Sequence, residues 1–260
     1  MNSVLLYSQL LSDPASPSME AIIFFFQDTL SFVYSIGLFV LWILFRCVCV
    51  FTYLFYYYHV YDVKEKHYDG NHHFSNILSY AKGIKHFPNI EFIWTLIPAL
   101  ILIIIGIPSF SLLYFVEQFR EPAIVLRVEG HQWYWHYHLH EVTPGTGCDY
   151  SFDSYMVSDD LLKTGQLRLL EVNTKLTLPV DTHLQIITSS VDVLHCWSVP
   201  ALGVKLDCCP GRLNETALFI KRSGIFYGQC SEICGMNHAF MPIVIKAVTM
   251  GEYVSTSLVN

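Results

Sequence analysis

Charged side chains are scarce in this sequence. Asp, Glu, Lys and Arg make up 14% of the 260 residues, whereas soluble domains carry about 25%. Hydrophobic residues reach 53%, so the chain is not an ordinary soluble domain throughout, and bilayer-buried segments are indicated. The net charge of -7 argues against nucleic-acid binding and suits a basic partner.

The N-terminus also lacks basic residues. Its first 20 residues contain neither Lys nor Arg, whereas a secretory signal has a basic start and a transit peptide is Arg-rich. We therefore expect synthesis inside the compartment whose membrane receives the chain. A Cys-x-x-Cys-His motif is missing from the sequence too, which excludes this form of covalent haem attachment.

Two apolar stretches predict membrane spans. Residues 92–116 carry no charge, and we predict a transmembrane helix at 91–118. An earlier stretch has Arg46 as its only charge, and we predict the first transmembrane helix at 29–61. The loop at 62–90 is rich in Lys, which places it on the cytoplasmic or matrix side and the tail at 1–28 on the opposite side.

The pattern of residues in the sequence changes from about residue 122 onward. Short, alternating, β-branched segments are separated by Gly, Pro and Asp. This pattern is typical of a β-sandwich or β-barrel, so we predict a second, all-β domain at 122–260 on the side of the N-terminal tail.

The strongest chemical signal is a cluster of soft metal ligands near the C-terminus. Cys230, Cys234, His238 and Met241 lie close together, and His195 precedes them on a predicted strand. Sulfur ligands with imidazoles select copper, and a Met beside Cys and His is typical of electron-transfer copper sites. A disulfide or a zinc site are the alternatives, and the Met and the distant His disfavour both.

Two cysteines rather than one favour a dinuclear site. Two thiolates can each bridge two copper ions, and the pair then shares one electron across a rigid core. Because oxidation moves few atoms in such a core, the arrangement suits repeated single-electron transfer.

Several long motifs resemble the cytochrome c oxidase subunit II family of haem–copper oxidases. The motifs lie between about residues 88 and 248: residues 91–94, 130–135, 152–156, 167–172, 193–207, 210–214, 228–235 and 237–244. The resemblance implies a two-helix hairpin followed by a cupredoxin-like Greek-key β-barrel that holds the dinuclear CuA centre.

The resemblance also implies roles for individual residues. The implied copper ligands are two bridging thiolates, two imidazoles, a weak thioether and one backbone carbonyl: Cys230 and Cys234, His195 and His238, Met241, and Glu232. The Glu232 side chain is expected to reach a magnesium ion at the interface with subunit I, since a carboxylate oxygen suits that ion.

Two further residues match functional positions of the family. Trp133 matches the aromatic residue through which electrons arrive from cytochrome c, and Glu91 matches the entrance of a proton pathway into subunit I. Spacing alone predicts that Trp133 and Trp135 share one strand face. We assign Trp135 a structural role.

An unusual row of histidines follows these tryptophans. His136, His138 and His140 are predicted on the opposite strand face, where the family usually has acids that attract cytochrome c. Three such imidazoles could bind zinc, and a solvated strand face is the alternative that we prefer. The remaining acids nearby are Glu141, Asp149, Asp153, Asp159, Asp160 and Asp192.

The sequence thus predicts an oxidase subunit that accepts single electrons from cytochrome c and passes them to haem in subunit I. Oxygen reduction and proton pumping belong to the complex, with oxygen chemistry in subunit I. A membrane-anchored copper-binding or assembly protein is the alternative. The expected location is the mitochondrial inner membrane, with the copper domain in the intermembrane space, or else a bacterial plasma membrane.

Overall fold

The computed structural model describes residues 11–61, 86–118, 121–142 and 149–257. In these ranges two long α-helices precede ten β-strands and a short C-terminal helix. The N-terminal residues 1–10, most of the predicted loop at 62–90, and Cys148 lie outside the described residues.

The first helix, α1, spans Pro17–Tyr61 and begins earlier than the span predicted at 29–61. Ser16 caps it, because the Ser16 hydroxyl accepts a hydrogen bond from the Met19 backbone N–H at 3.0 Å. Pro17 stands at the first helical position, where the missing N–H does no harm. The 45 residues extend about 67 Å, more than twice the ~30 Å hydrocarbon core of a bilayer.

The second helix, α2, spans Pro88–Val116 and agrees within three residues with the span predicted at 91–118. None of its residues is buried, although most are large and apolar. In the described part of the chain, α1 and α2 are the helices long and apolar enough to cross a membrane. Two apolar helices followed by an all-β domain confirm the predicted fold class.

Ten strands form the extramembrane domain. In chain order they are β1 Ile124–His131, β2 Tyr134–Glu141, β3 Asp149–Ser154, β4 Leu176–Pro179, β5 His183–Ser190, β6 His195–Val199, β7 Val204–Cys208, β8 Asn214–Phe219, β9 Gly224–Cys230 and β10 Pro242–Val248. A short helix, α3 Met250–Ser257, follows them.

The strands build two five-stranded sheets. Their orders are β3-β2-β1-β5-β8 and β4-β10-β9-β6-β7. Each sheet has one parallel pair, β1 with β5 and β10 with β4, among antiparallel neighbours. Because a tight hairpin cannot join parallel neighbours, the chain crosses between the sheets.

The core lies between the sheets, where alternate side chains point inward. Trp135, Tyr137 and Leu139 of β2 are buried against Trp197 of β6 and Ile245 of β10. On β6 every residue is buried, including the polar side chains of His195 and Ser198.

The N-terminal segment 13–20 packs on this β-domain, a contact that the boundary at 122 did not anticipate. The Ala15 backbone N–H donates to the Ala201 carbonyl at 2.9 Å, and its carbonyl accepts from the Lys221 backbone N–H at 2.8 Å. Lys221 also pairs with Glu20, with Nζ 2.8 Å from Oε1. Such pairing between residues more than 180 apart leaves no periodic signal in the sequence.

Candidate metal centre

His195 opens β6 with its ring fully buried. One ring nitrogen, Nε2, lies 2.8 Å from Asp192 Oδ1, while Nδ1 faces the Cys230 sulfur at 4.0 Å. Since the carboxylate only accepts at neutral pH, Nε2 carries a proton, and Nδ1 is the nitrogen that can give up its own proton to bind a metal. Asp192 therefore orients His195 as a ligand through Nδ1.

The two thiols of Cys230 and Cys234 face each other. Cys230 ends β9 and Cys234 lies in the loop before β10, with the sulfurs 3.9 Å apart. A disulfide bond is about 2.05 Å long, so the structure holds two free thiols and not the disulfide considered above. Because metal–thiolate bonds are about 2.3 Å long, both sulfurs can bind one common ion.

His238 and Met241 complete the cluster from the C-terminal side of the loop. The Cys234 sulfur lies 3.5 Å from His238 Nδ1 and 3.6 Å from the Met241 sulfur. The Glu232 carbonyl oxygen lies 3.4 Å from the Cys230 sulfur. The structure thus brings together all the ligand atoms that the resemblance implied.

The electrostatics of the metal-free cluster separate the two thiols. Burial raises the pKa of Cys230, but hydrogen bonds from His195 and the backbone outweigh it and lower the value to about 7. Burial and the nearby Cys230 charge raise the pKa of Cys234 to about 12. Two thiolates side by side therefore require positive charge between them, which metal cations supply.

Neighbouring residues hold the ligands by close contact. A Cβ atom on Gly130 would lie 2.8 Å from His195 Cδ2, so only glycine lets β1 approach the imidazole. Trp135 packs edge-on against the same ring, with centroids 6.0 Å apart, and its indole N–H donates to the Met241 carbonyl at 3.1 Å. The structural role assigned to Trp135 agrees with these contacts.

Trp133 occupies the turn between β1 and β2, so the predicted shared face with Trp135 is wrong. The turn redirects the side chain, and the spacing rule applies only within a strand. The Trp133 indole N–H donates to the Cys234 carbonyl at 3.3 Å, and Gln132 Nε2 donates to the same oxygen at 2.8 Å. The half-buried indole also lies against Gly235, whose φ of +120° suits glycine.

The two predicted acidic sites have different settings. The Glu232 side chain is exposed beside the ligand loop. Glu91 lies in the first turn of α2, where Oε1 is 2.8 Å from His86 Nδ1 and 3.4 Å from the Phe87 backbone nitrogen. Glu91 thus belongs to the helical anchor and not to the ligand cluster.

Sequence reasoning missed three supports of the site. The sequence predicts only a surface acid at Asp192, yet it holds both His195 and the Gln132 backbone N–H, the latter at 2.6 Å from Oδ2. Gly130 and Gln132 were seen as parts of a motif without a role. Their roles depend on contacts between the two sheets, and only the glycine that opens this motif hinted at a close approach.

Two protein-family profiles match this chain. The profile of "Cytochrome C oxidase subunit II, periplasmic domain" matches residues 124–248. That of "Cytochrome C oxidase subunit II, transmembrane domain" matches residues 5–57 and 73–112. Together the two profiles span most of the chain.

Similar full-length proteins come from distant organisms. The "Cytochrome c oxidase subunit 2" of Phytophthora megasperma is 44% identical over 243 residues, which cover 94% of this chain and 83% of the relative. That of Chondrus crispus is 43% identical over 243 residues, covering 94% and 87%. The solved periplasmic domain of subunit II of cytochrome oxidase from Bradyrhizobium japonicum is 39% identical, covers 55% of this chain and 96% of that chain, and superimposes with a TM-score of 0.48.

Proposed function

The chain belongs to the cytochrome c oxidase subunit II family, and on that premise we propose that it is the subunit through which electrons reach the oxidase. It accepts single electrons from cytochrome c at a dinuclear CuA centre and passes them to haem in subunit I. There oxygen is reduced to water, coupled to proton pumping. The chain itself is one subunit of this oxidoreductase complex.

One observation carries the proposal: two thiols, two imidazoles, a thioether and a carbonyl converge in one cluster. Its three central residues have ligand atoms within 4.8 Å of one another. A closed zinc site has little use for the thioether of Met241, whereas copper sites use it as a weak ligand. Held by these residues, two copper ions would supply a one-electron store.

The surrounding protein residues would hold the two copper ions rigidly and shield them from water. His195, Cys230, Cys234 and Met241 are buried, so water is excluded from most of the donor set. Strands β6 and β9 fix His195 and Cys230, and the Met241 carbonyl is bound by Trp135. A donor set held in this way changes little between oxidation states, which favours fast electron transfer.

Trp133 provides the proposed path from the surface. Its half-buried indole hydrogen-bonds the backbone of Cys234 and packs against Gly235. A cytochrome c bound over this turn would face an aromatic ring that is hydrogen-bonded to the backbone of Cys234, a proposed ligand residue. Asp192, whose carboxylate holds the Gln132 backbone N–H in this turn, and the surface acids Asp149 and Asp153 of β3 would attract a basic donor.

Two carboxylates extend the proposal to subunit I. The exposed Glu232 carboxylate is available for a magnesium ion shared with subunit I, while its backbone carbonyl stays in the copper cluster. Glu91 would collect protons at the N-terminal end of α2 and deliver them to a pathway in subunit I. Both roles rest on the family match at these positions.

The chain is membrane-anchored, and we place it in the mitochondrial inner membrane with the β-domain in the intermembrane space. Contacts of the segment 13–20 with the β-domain support a hairpin whose tail and domain share one side. The Lys residues between α1 and α2 then face the matrix. A bacterial plasma membrane with a periplasmic domain remains the alternative location.

Rapid mixing of reduced cytochrome c with the purified oxidase complex tests the function. We expect the copper absorbance to bleach before haem is reduced, and the rate to fall as salt is added, because steered association is screened. Cys230→Ser should abolish the copper phase and slow haem reduction. Haem reduction at the wild-type rate in Cys230→Ser would contradict the proposal. Purification of this chain without haem subunits would also contradict it, because the assembly-protein alternative predicts that result.

A further inference from the structure

The outward face of β2 carries three imidazoles in a row. His136, His138 and His140 alternate with the buried Trp135, Tyr137 and Leu139 and are half-buried to exposed. Two carboxylates of the neighbouring edge strand β3 lie among them. This His face, defined as the three histidines, takes no part in the ligand cluster described above.

Each carboxylate already holds a ring nitrogen. His136 Nδ1 lies 2.7 Å from Asp153 Oδ1, and His138 Nε2 lies 2.8 Å from Asp149 Oδ1. His140 Nδ1 approaches the other oxygen of Asp149 at 3.7 Å. One carboxylate, Asp149, thus serves two imidazoles that stand two residues apart.

These contacts determine where the ring lone pairs point. Because a carboxylate only accepts, the facing nitrogens of His136 and His138 carry protons when the rings are neutral. The lone pairs then lie on His136 Nε2 and His138 Nδ1, and the latter has no hydrogen-bond partner. In His138 one nitrogen is held by a carboxylate, as is usual for a metal-ligating histidine, and the other is buried without a partner, so the ring must turn to offer it to an ion.

We propose that the His face binds a divalent transition-metal ion of the Zn²⁺ class, separate from the copper centre. His138 and His140 supply imidazole nitrogens from one face of β2. Asp149 orients them, with His136 as a third donor. Imidazole donors suit zinc, copper and nickel, whereas calcium and magnesium prefer an all-oxygen shell.

The surrounding charges favour a dication. Across β1, Glu129 stands opposite His136 and Arg127 opposite His138 in the strand register. With Asp149 and Asp153, three carboxylates face one guanidinium. Arg127 is exposed on the sheet surface, so its long side chain can turn away from an arriving ion.

Binding requires only side-chain rotation. In the described residues, the group whose ligand atoms already lie within 4.8 Å of one another is that of His195, Cys230 and Cys234. The His-face rings therefore close around the ion after turning about their side-chain bonds. Their exposed fractions of 32%, 38% and 56% for His136, His138 and His140 leave space for that motion.

Zinc titration of the copper-loaded full-length chain tests the site, with the copper absorbance recorded to show that the copper stays bound. We expect one zinc ion per wild-type chain and none at the same concentration in the double variant His138→Gln/His140→Gln. Asp149→Asn should weaken zinc binding about 10–100-fold, the usual effect of losing a carboxylate behind a ligand. His183→Gln, on β5 of the same sheet, is the matched control and should bind zinc as the wild type does.

The zinc X-ray absorption spectrum distinguishes this site from zinc in the cysteine cluster. The proposal predicts nitrogen and oxygen neighbours at about 2.0–2.2 Å. Sulfur neighbours at about 2.3 Å would overturn it. Zinc binding that is unchanged in the double variant would overturn it equally.

Discussion

The helical anchor and the β-domain obtain their packing from different sources. No residue of α2 is buried within the chain, although Leu102, Ile103 and Ile104 are large and apolar. In the β-domain, by contrast, Trp135, Trp197 and other large side chains are fully enclosed by the chain itself. The apolar helices suit a lipid environment, whereas the candidate metal centre lies in a domain with its own self-contained core.

The N-terminal segment 13–20 crosses this division. In sequence it leads into the helical anchor, yet Ala15, Ser16 and Met19 are buried against the β-domain. We therefore expect substitutions in and around the β-domain core to change stability or electron transfer strongly. Substitutions in this segment should have a moderate effect on stability, and those on the apolar helix surface almost none.

The largest effect is expected at the surface path to the metal centre. Trp133→Ala should slow electron transfer from bound cytochrome c by orders of magnitude, because tunnelling decays steeply with an added gap. Copper content should stay unchanged, since Trp133 supplies no ligand atom. Flash-initiated kinetics beside metal analysis measure both quantities.

Trp133→Phe provides the control for packing. It keeps a ring against Gly235 but removes the hydrogen bond to the Cys234 carbonyl, so an intermediate rate is expected. A wild-type rate in Trp133→Ala would show that electrons enter elsewhere and that this residue only closes the turn.

The next effect concerns the core beneath the metal centre. Trp135→Ala removes a fully buried indole and should lower the free energy of unfolding of the β-domain by about 3–5 kcal/mol. Thermal melts of the metal-free and copper-loaded protein measure the loss. Trp135→Phe keeps much of the volume and leaves the Met241 carbonyl unpaired, so its loss should be about 1–3 kcal/mol. Equal melting of wild type and Trp135→Ala would contradict a self-contained core.

A moderate effect is expected where the N-terminal segment meets the domain. The Ser16 hydroxyl accepts from the Met19 N–H and donates to the Leu202 carbonyl at 2.6 Å. Ser16→Ala should therefore cost about 1 kcal/mol, the usual value for a lost helix cap. Ser18→Ala, which removes a hydroxyl outside this cap, is the comparison in the same melts. If Ser16→Ala melts at the same temperature as the wild type, the segment 13–20 does not stabilise the β-domain in solution.

The smallest effect is expected on the apolar surface of α2. Leu102, 69% exposed, should be replaceable by Ala with a change in β-domain stability within about 0.5 kcal/mol. Copper content should also be retained in the detergent-solubilised chain. A large loss of β-domain stability in Leu102→Ala would contradict this difference between the two regions, because it would show that the stability of the β-domain depends on the helices.

Local patterns explain how much the sequence could predict. Hydrophobic runs predicted both helices, and the motif from Cys230 to Met241 predicted four members of the cluster because they lie in one short segment. Alternation on β2 correctly placed His136, His138 and His140 opposite Trp135. Each of these signals operates over a few neighbouring residues.

Long-range contacts explain what the sequence could not predict. The close approach of Gly130 to His195 and the hydrogen bond from the Gln132 N–H to Asp192 depend on strands β1 and β6 meeting in space. The hydrogen bond from Ala15 to Ala201 joins residues more than 180 positions apart. Trp133 was assigned to a strand because a turn of two residues leaves no periodic break in an aromatic motif.

The central claim is a dinuclear copper centre with one shared electron, and electron paramagnetic resonance of the copper-loaded protein tests it most directly. We expect two coppers per chain and a hyperfine pattern of one electron divided equally between two copper nuclei. Cys230→Ser should lose this pattern, because a hydroxyl does not replace the bridging thiolate. A spectrum of one isolated copper in the wild type, or a protein that retains a single zinc and no copper, would contradict the account.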